Sequence, residues 1–264
     1  MAGEPMRVGL IGLGAIGGAV VRSIADHATA DLTVVGALVA DRERPRDTLG
    51  LTLVADTTAL LATNPTAVVE AGGHEALAQH GPAILRAGCD LVMVSVGALA
   101  KPEVYEAVTG AAREGGSRAI VASGAIGALD AISAASLGGL DRVTHTTRKP
   151  PRTLLPAAEA DSLTEARELF RGSAREGALR FPESINVAAA VALAGLGLDR
   201  TEVCVLADPA VTRNRHEVVA EGAFGTLRFT IENIPSEANP KTGRLVALSI
   251  VQTLLRRRNP LSIG

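Results

Sequence analysis

The stretch RVGLIGLGAIGGAVV, residues 7–21, decides the fold of the first half of the chain. Gly12, Gly14 and Gly17 form the pattern G-x-G-x-x-G between an apolar run typical of a strand and a run with helical spacing. In that setting the first glycine permits a tight turn and the second lets a pyrophosphate approach the backbone. The third lets the helix pack closely on the strand. We therefore predict that this loop binds a dinucleotide.

The residues around this loop narrow the choice of cofactor. Ala15 and Ile16 would open the helix, whose free N–H groups attract phosphate. A second apolar run ends at Asp41, slightly beyond the offset of about 20 residues usual for the carboxylate that binds a ribose 2′-hydroxyl. Arg42 and Arg44 follow it, and a guanidinium there would pair with a 2′-phosphate or simply lie on the surface. We expect NAD as cofactor, with NADP as the alternative.

The pattern of apolar runs divides the chain into two parts. Over residues 1–127 short β-branched runs alternate with Ala-rich helical segments, which indicates an α/β fold with a doubly wound parallel sheet, a Rossmann domain. Residues 128–239 contain strand-like segments in succession, which predicts a second, α+β domain with a mixed or antiparallel sheet. These strand-like segments are residues 201–207, 215–225 and 226–234.

Three helices are predicted in the second half of the chain, one of them a helix of small residues over 185–197. Residues 154–170 indicate a loop followed by a helix. A C-terminal helix is expected over residues 240–258, packed back on the first domain, and Lys241 and Thr242 at its start would lie near the site.

Composition bounds the class of protein. Although 47% of the 264 residues are hydrophobic, no apolar run approaches the ~18 residues of a membrane span. We expect no secretory signal at the start of the sequence. A net charge of −2 gives no reason to expect nucleic acid or a membrane surface as partner. Cys89 and Cys204 stand alone in apolar surroundings and are expected to be inert core thiols. We expect a soluble, cytoplasmic protein without a bound metal.

Three small-residue loops follow predicted strands of the first domain, at residues 70–74, 95–99 and 123–127. Ligands of doubly wound sheets collect beyond the carboxyl ends of the strands, so these loops are expected to surround one crevice. Gly73, Ser95 and Val96 are candidate cofactor contacts there. His74 either lines the cofactor ring or caps the next helix.

Among the five histidines, His216 is the candidate for chemistry. It alternates with Val218 and Ala220 in a strand-like run, so it faces the apolar side of the sheet. Position alone leaves two interpretations open, a core histidine or a catalytic one. His145 also lies in a strand-like run, where we expect it only to pack.

The longer motifs resemble those of the L-aspartate dehydrogenase family, and the resemblance extends over residues 6–257. The segments that carry it are EAGGHEALAQHGPAILRAGCDLVMVSVGALA (70–100), SGAIGALDA (123–131), THTTRKPP (144–151), FRGSAREGALRFPESINVAAAVALAGLGLDR (170–200) and RNRHEVVAEGAFG (213–225). One departure is PPRTLLPAAEADSL (150–163), which is shorter than the corresponding family segment and places a loop at the substrate mouth in doubt.

The resemblance implies oxidation of L-aspartate with NAD or NADP to iminosuccinate, which hydrolyses to oxaloacetate and ammonia, and the reverse amination. It implies a homodimer formed through the second domain and a supply of iminosuccinate for NAD biosynthesis. His216 corresponds to the family's active-site histidine, and Ala125 and Asn186 to its contacts with the nicotinamide side. From sequence alone Asn186 would look the same as a plain helix N-cap.

The substrate's two carboxylates need donors. Thr147, Arg148 and Lys149 supply a hydroxyl and two cations within one short stretch, unless that stretch is a solvated basic loop. An imidazole suits the proton transfer that imine formation requires, because its unperturbed pKa of ~6.5 lies near working pH. His216 would deprotonate the substrate ammonium or activate the water that attacks the imine.

Two other functions remain as alternatives. One is a reductase of the dihydrodipicolinate-reductase type, although the paired-histidine motif, the following lysine and the Ser-Gly-Thr loop of that family are absent. The other is a regulator that senses NAD(H) without chemistry.

Overall fold

A computed structural model describes residues 4–28, 30–44, 46–181, 185–235 and 243–261. Lys241 and Thr242 lie outside the described residues. The chain divides into two compact units. The first comprises Met1–Gly124 together with Val246–Gly264, and the second comprises Ala125–Leu245.

The first unit contains a six-stranded sheet in which every neighbouring pair is parallel. Its strands are β1 (Met6–Ile11), β2 (Leu32–Leu38), β3 (Leu53–Val54), β4 (Ala67–Glu70), β5 (Asp90–Met93) and β6 (Ala119–Val121). The helices that alternate with them are α1 (Ala15–His27), α2 (Thr57–Ala62), α3 (His74–Arg86) and α4 (Pro102–Gly115). The predicted Rossmann fold class is thereby confirmed.

The strand order β3-β2-β1-β4-β5-β6 reverses direction at β1. The chain leaves β1 toward β2 on one side, whereas β4 pairs with β1 on the other side. In open α/β sheets ligands bind beyond the carboxyl ends of the strands at this kind of switch point. A ligand of this fold is therefore expected at the loops that follow β1 and β4.

The second unit contains a mixed sheet of order β11-β10-β7-β9-β8, as predicted. Its elements in chain order are α5 (Leu129–Gly138), β7 (Leu140–Lys149), α6 (Ala157–Ser162), β8 (Arg167–Ser173), α7 (Ala174–Arg180), α8 (Asn186–Ala194), β9 (Glu202–Ala207), β10 (Arg215–Gly222) and β11 (Gly225–Glu232). β7 pairs parallel with β9, and the other neighbouring strands are antiparallel.

The prediction for residues 154–170 is wrong in its second half. Helix α6 ends at Ser162, and Arg167 begins the strand β8. Arg, Glu and Leu are good helix formers, but β8 bonds to β9 and buries Phe170, which makes an edge contact with Phe181 at a ring-centroid distance of 5.7 Å. Tertiary pairing overrides local propensity here.

One face of the mixed sheet carries the core of the second unit. Val143 of β7 and Val218 of β10 lie in one fully buried cluster with Ile132 of α5 and Val191 of α8. Toward Lys149, at the other end of β7, the same face becomes polar. Buried polar side chains, including those of Thr147 and Lys149, lie at that polar end.

The final helix α9 (Leu245–Leu255) contacts residues of the first unit. The Ser249 hydroxyl accepts a hydrogen bond from the Gly124 backbone N–H at 3.0 Å, and Arg257 forms an ion pair with Asp90. Within the described ranges no helix has both the length and the apolar character needed to cross a bilayer.

Candidate functional site

The glycine loop after β1 leaves space where a phosphate group would bind. Gly12 has a φ of +91°, and a Cβ there would lie 2.7 Å from the carbonyl oxygen of Ala71. A Cβ at Gly17 would collide with the Gly12 carbonyl, so α1 packs directly on the loop. No atom lies within 4 Å of a Cβ built at Gly14, which is the N-cap of α1 and makes no side-chain cap. The open position at Gly14 therefore fits an approaching pyrophosphate.

Ala15 and Ile16 are the first two residues of α1. The first N–H groups of a helix have no partner within the helix, and the positive end of its dipole favours anions. The predicted phosphate contacts at Gly12, Gly14 and Gly17 thus lie beside the helix start, in an arrangement that fits a dinucleotide.

A cavity of about 680 Å³ opens beside this loop within the first unit. Its wall is formed by the glycine loop, the end of β2 and the following residues, the loop after β4, and the first turns of α3. The size is typical of a pocket for a small ligand or cofactor. Arg44 and Arg46 contribute to the wall, whereas Asp41 and Arg42 are not among the described residues that form it.

Asp41 instead shapes the turn after β2. Its Oδ1 accepts hydrogen bonds from the backbone N–H groups of Glu43 at 2.9 Å and Arg44 at 3.2 Å. Asp41 and Arg42 are both exposed. The turn thereby brings the cationic side chains of Arg44 and Arg46 to the cavity.

Glu70, the last residue of β4, joins two of the predicted cofactor loops. Its Oε1 accepts hydrogen bonds from the backbone N–H groups of Gly72 at 2.9 Å and Gly73 at 3.0 Å, and from the Ser95 hydroxyl at 2.8 Å. Its Oε2 accepts from the Ser95 N–H at 3.0 Å. Burial raises the pKa of this carboxyl, and the hydrogen bonds from Ser95, Gly73 and Gly72 oppose that rise. No role is assigned to Glu70 from the sequence, although a glutamate at the end of an apolar strand is a visible signal.

The predicted contacts at these loops occupy the following positions. Ser95 and Val96 are buried where β5 leads into a 3-10 turn, and the Ser95 hydroxyl is used on Glu70. Gly73 is the N-cap of α3, with a φ of +100°, and His74 is the first helical residue. The interpretation of His74 as the helix cap is therefore wrong, because the N-cap position belongs to Gly73.

Four buried polar side chains meet on one face of the mixed sheet in the second unit. His145, Thr147 and Lys149 alternate along β7, and His216 on β10 is in register with Thr147. Exposed fractions are 1% for His145 and Thr147, 8% for Lys149 and 5% for His216. We call these four residues the histidine cluster.

The two histidines of the cluster are hydrogen-bonded to each other. His145 Nε2 lies 3.2 Å from His216 Nδ1, and the rings stack with centroids 5.4 Å apart. Burial and the Lys149 cation lower the pKa of His216 to about 4. Burial, His216 and Lys149 also lower the pKa of His145 well below its usual value. Both imidazoles are therefore neutral at neutral pH.

Two polar atoms of the histidine cluster have no partner. In the part of the chain that the structure describes, His145 Nδ1 and Thr147 Oγ1 are buried and make no hydrogen bond. Buried polar atoms in proteins are almost always hydrogen-bonded, so an orphaned pair beside a buried lysine calls for an explanation. A polar, anionic ligand would supply an acceptor for this hydroxyl, and its charge would suit the Lys149 cation beside it.

Arg148 is separated from this cluster, which corrects the prediction that it binds substrate beside Lys149. Alternate residues of a strand point to opposite faces, and Arg148 lies on the other face of β7. There it contacts Asp208 at 3.0 Å and Glu217 at 3.6 Å. We therefore leave Arg148 out of the substrate site.

Ala125 and Asn186 also belong to the second unit. The Ala125 carbonyl accepts a hydrogen bond from the side-chain amide of buried Asn233 at 3.0 Å. Asn186 is the first residue of α8, and Ile185 occupies the N-cap. The interpretation of Asn186 as a plain N-cap is therefore wrong.

Cys89 and Cys204 are buried free thiols, and burial raises the pKa of each, that of Cys204 to about 11. Thiols with raised pKa values are poor nucleophiles. Among the described residues no group of three or more His, Cys, Asp or Glu side chains is placed to hold a metal ion.

Comparison with known proteins finds a different family model for each part of the chain. The family model "Aspartate dehydrogenase, C-terminal" matches residues 130–257, and "Homoserine dehydrogenase, NAD binding domain" matches residues 12–122. The chain is 42% identical to an L-aspartate dehydrogenase of Cupriavidus necator over 98% of this chain and 100% of that protein. An L-aspartate dehydrogenase of Pseudomonas aeruginosa is 45% identical over 75% of this chain and 76% of its own.

Solved structures are similar over nearly the whole length. Aspartate dehydrogenase from Thermotoga maritima has a TM-score of 0.81 at 27% identity, covering 99% of this chain and 100% of that one. A hyperthermophilic archaeal homoserine dehydrogenase in complex with NADPH has a TM-score of 0.63 at 11% identity, covering 96% and 97%. The second likeness concerns the fold alone.

Proposed function

Because this chain belongs to the aspartate dehydrogenase family, we propose that it oxidises L-aspartate to iminosuccinate with NAD⁺ or NADP⁺. The imine then hydrolyses to oxaloacetate and ammonia, and the reverse reaction aminates oxaloacetate. The observation that carries the proposal is the histidine cluster, in which a neutral imidazole, a buried lysine and two unpartnered polar atoms share one face. Such a donor set suits a dicarboxylate that bears an amino group.

The cofactor is held by the backbone of the glycine loop. Gly14 leaves space for the pyrophosphate, and the N–H groups at the start of α1, including those of Ala15 and Ile16, attract it. When bound, the nicotinamide would supply the hydride acceptor for the oxidation at Cα of aspartate. Ala125 and Asn186 correspond to the family's contacts on the nicotinamide side.

His216 serves as the base. Its neutral ring takes a proton from the substrate ammonium, or from the water that attacks the imine. The low pKa of His216 in the free protein comes from burial and from Lys149. A bound dicarboxylate brings negative charge that raises this pKa toward the working pH, so substrate binding itself strengthens the base.

Lys149 and Thr147 bind the substrate carboxylates. Lys149 is buried, and pairing with an anion stabilises a buried cation more than it stabilises a solvent-exposed one. The Thr147 hydroxyl, on the same face and without a partner, donates to a carboxylate oxygen. In the histidine cluster, Lys149 and Thr147 thus recognise a small dianion.

An absorbance assay of the reduced cofactor tests the proposal. Purified protein with L-aspartate and NAD⁺ or NADP⁺ is expected to form reduced cofactor, whereas D-aspartate and L-malate are not oxidised. His216→Ala is expected to keep cofactor affinity within about 3-fold and to lose at least about 100-fold in kcat, the range of general base catalysis. Cofactor binding without turnover on L-aspartate would contradict the proposal and favour a sensor of NAD(H).

The assembly and the cellular setting follow from the family resemblance. We propose that the chain acts as a homodimer in the cytoplasm and that its iminosuccinate supplies NAD biosynthesis. Light scattering on the purified protein measures the mass directly, and a monomer would contradict the dimer.

A further inference from the structure

The hydrogen bond between His145 and His216 uses one of the two ring nitrogens of His216. His145 Nε2 faces His216 Nδ1 at 3.2 Å, which leaves His216 Nε2 as the nitrogen available to a substrate. Between two neutral imidazoles this bond holds a single proton, because each nitrogen is either a donor or an acceptor. The position of that proton decides what His216 can do.

Two arrangements of the proton are possible. If His145 Nε2–H donates, His216 carries its own proton on Nε2 and presents a hydrogen-bond donor instead of a lone pair to the substrate. If His216 Nδ1–H donates to His145 Nε2, then His216 Nε2 holds a lone pair and is a base. The proposed oxidation requires the second arrangement.

We propose that His145 is a positioning residue, which accepts the hydrogen bond from His216 Nδ1–H and thereby holds His216 as the tautomer with a basic Nε2. This inference rests on the proposed function. It gives His145 the place that a carboxylate takes beside a catalytic histidine elsewhere, where the carboxylate fixes the tautomer and ring orientation. When His216 gains a proton on Nε2, the same bond becomes charge-assisted and stabilises the cation.

Among the described residues, His145 Nε2 is the atom that faces His216 Nδ1. Lys149 is a donor only, the Thr147 hydroxyl makes no hydrogen bond, and Val218, in register with His145, is apolar. In the proposed tautomer the proton of His145 lies on Nδ1, which is buried and has no partner among the described residues. That N–H is thereby available to a substrate oxygen or a bound water.

Two variants of His145 separate a positioning role from a packing role. His145→Phe keeps the ring shape but removes the acceptor, and His145→Gln restores a polar atom near the position of Nε2. For His145→Phe we expect kcat to fall about 10- to 100-fold, the range found when the support of a functional histidine is removed. The KM for aspartate and the affinity for cofactor are expected to stay within about 3-fold of the wild type. His145→Gln is expected to recover most of kcat.

Val143→Ala is the matched control. Val143 lies two residues before His145 on the same buried face of β7 and belongs to the apolar cluster. The Val143→Ala variant is expected to have a lower thermal midpoint of unfolding and a kcat near that of the wild type. If kcat falls in Val143→Ala as much as in His145→Phe, in proportion to the loss of stability, the positioning role is overturned.

Imidazole ¹⁵N chemical shifts read the tautomer directly. With the His216 signals assigned by their loss in His216→Gln, the wild type is expected to show Nδ1–H on His216, and His145→Phe is expected to shift the population toward Nε2–H. Nε2–H on His216 in the wild type, or an unchanged tautomer and kcat in His145→Phe, would overturn the inference. If the wild type does not oxidise aspartate, the proposed function fails, whereas the ¹⁵N shifts still decide whether His145 holds the tautomer.

Discussion

The Glu70 carboxylate accepts a hydrogen bond from the Ser95 hydroxyl at 2.8 Å, and this contact joins the loop after β4 to the loop after β5. Glu70 is fully buried and also accepts from Gly72 and Gly73. A single side chain therefore fixes two loops at the carboxyl edge of the parallel sheet. We infer that the shape of the cofactor site depends on the two oxygens of Glu70.

Glu70→Gln replaces one carboxylate oxygen with an NH₂ group, which cannot accept hydrogen bonds from the N–H groups that now point at it. We expect the variant to lose about 1–3 kcal/mol of stability, the cost of leaving buried polar groups unsatisfied. Cofactor affinity is expected to fall about 10-fold, because 1.4 kcal/mol of loop distortion corresponds to that factor. Urea unfolding and fluorescence titration with NADPH measure the two effects.

Glu114→Gln is the control for Glu70→Gln. Glu114 lies on α4 and forms an exposed ion pair with Arg86. Exposed ion pairs contribute about 0–1 kcal/mol. This variant should unfold and bind cofactor almost as the wild type does. Equal behaviour of the two glutamine variants would show that Glu70 does not hold the loops.

Lys149 and Arg148 are adjacent in sequence but face opposite sides of β7, and this separates their expected roles. For Lys149→Met we expect the KM for aspartate to rise at least about 10-fold, because an ion pair with a buried carboxylate is lost. The pKa of His216 is expected to rise as well, since Lys149 contributes to lowering it. Steady-state kinetics across pH give both quantities.

Arg148→Met is the matched comparison. It removes the contacts with Asp208 and Glu217 and leaves buried Asp208 without this partner, so stability should fall. The KM for aspartate should stay near the wild-type value. A larger rise in KM for Arg148→Met than for Lys149→Met would place the substrate on the other face of the strand.

The glycine loop is predictable from local sequence, whereas the histidine cluster depends on strand pairing. The glycine pattern identifies the turn at Gly12 and the start of α1, because both depend on neighbours in the sequence. The alternation around His216 also predicts which way it faces. Nothing in the sequence says that β10 pairs with β7, and only this register brings His145 and Thr147 beside His216. His145 was therefore expected to be packing alone.

Dependence on strand pairing also explains why local propensity does not predict β8. The residues of β8 favour a helix by themselves, and the strand forms because β9 offers an edge and Phe170 a buried position. Arg148 shows the converse case, since proximity in sequence suggested a shared role that alternation along β7 prevents.

The cavity beside the glycine loop leads to a prediction about cofactor choice. Arg44 and Arg46 contribute to its wall, and guanidinium groups bind phosphate by charge-assisted hydrogen bonds. We expect Arg44→Ala and Arg46→Ala each to weaken NADP⁺ binding about 10-fold, from the loss of one charged hydrogen bond of roughly 1.5 kcal/mol. The affinity for NAD⁺, which has no 2′-phosphate, should change little.

Arg42→Ala serves as the control for these two variants. Arg42 is exposed and does not contribute to the described cavity wall, so its removal should leave the preference between NADP⁺ and NAD⁺ unchanged. Isothermal titration with each cofactor provides the ratios. If Arg42→Ala alone changes the ratio, the 2′-phosphate lies on the outer side of the turn.

The buried histidines make stability depend on pH in a defined direction. The pKa of His216 is about 4 in the folded protein, below its usual value of 6.5, so the unfolded state binds more protons between these two values. The contribution of His216 to the free energy of unfolding is therefore fully present above pH 6.5 and is lost as the pH falls toward 4. His216 alone accounts for about 3 kcal/mol of this loss, at 1.36 kcal/mol per pH unit.

Replacing His216 by a side chain that does not titrate should flatten this dependence. His216→Gln is expected to lose less stability than the wild type on acidification, whereas His27→Gln, at the exposed end of α1, should follow the wild-type curve. Urea unfolding without substrate at several pH values provides the slopes, and the difference between variants cancels the other titrating groups. A wild-type slope in His216→Gln would mean that folding does not lower the pKa of His216, which would contradict its burial as a neutral ring beside Lys149.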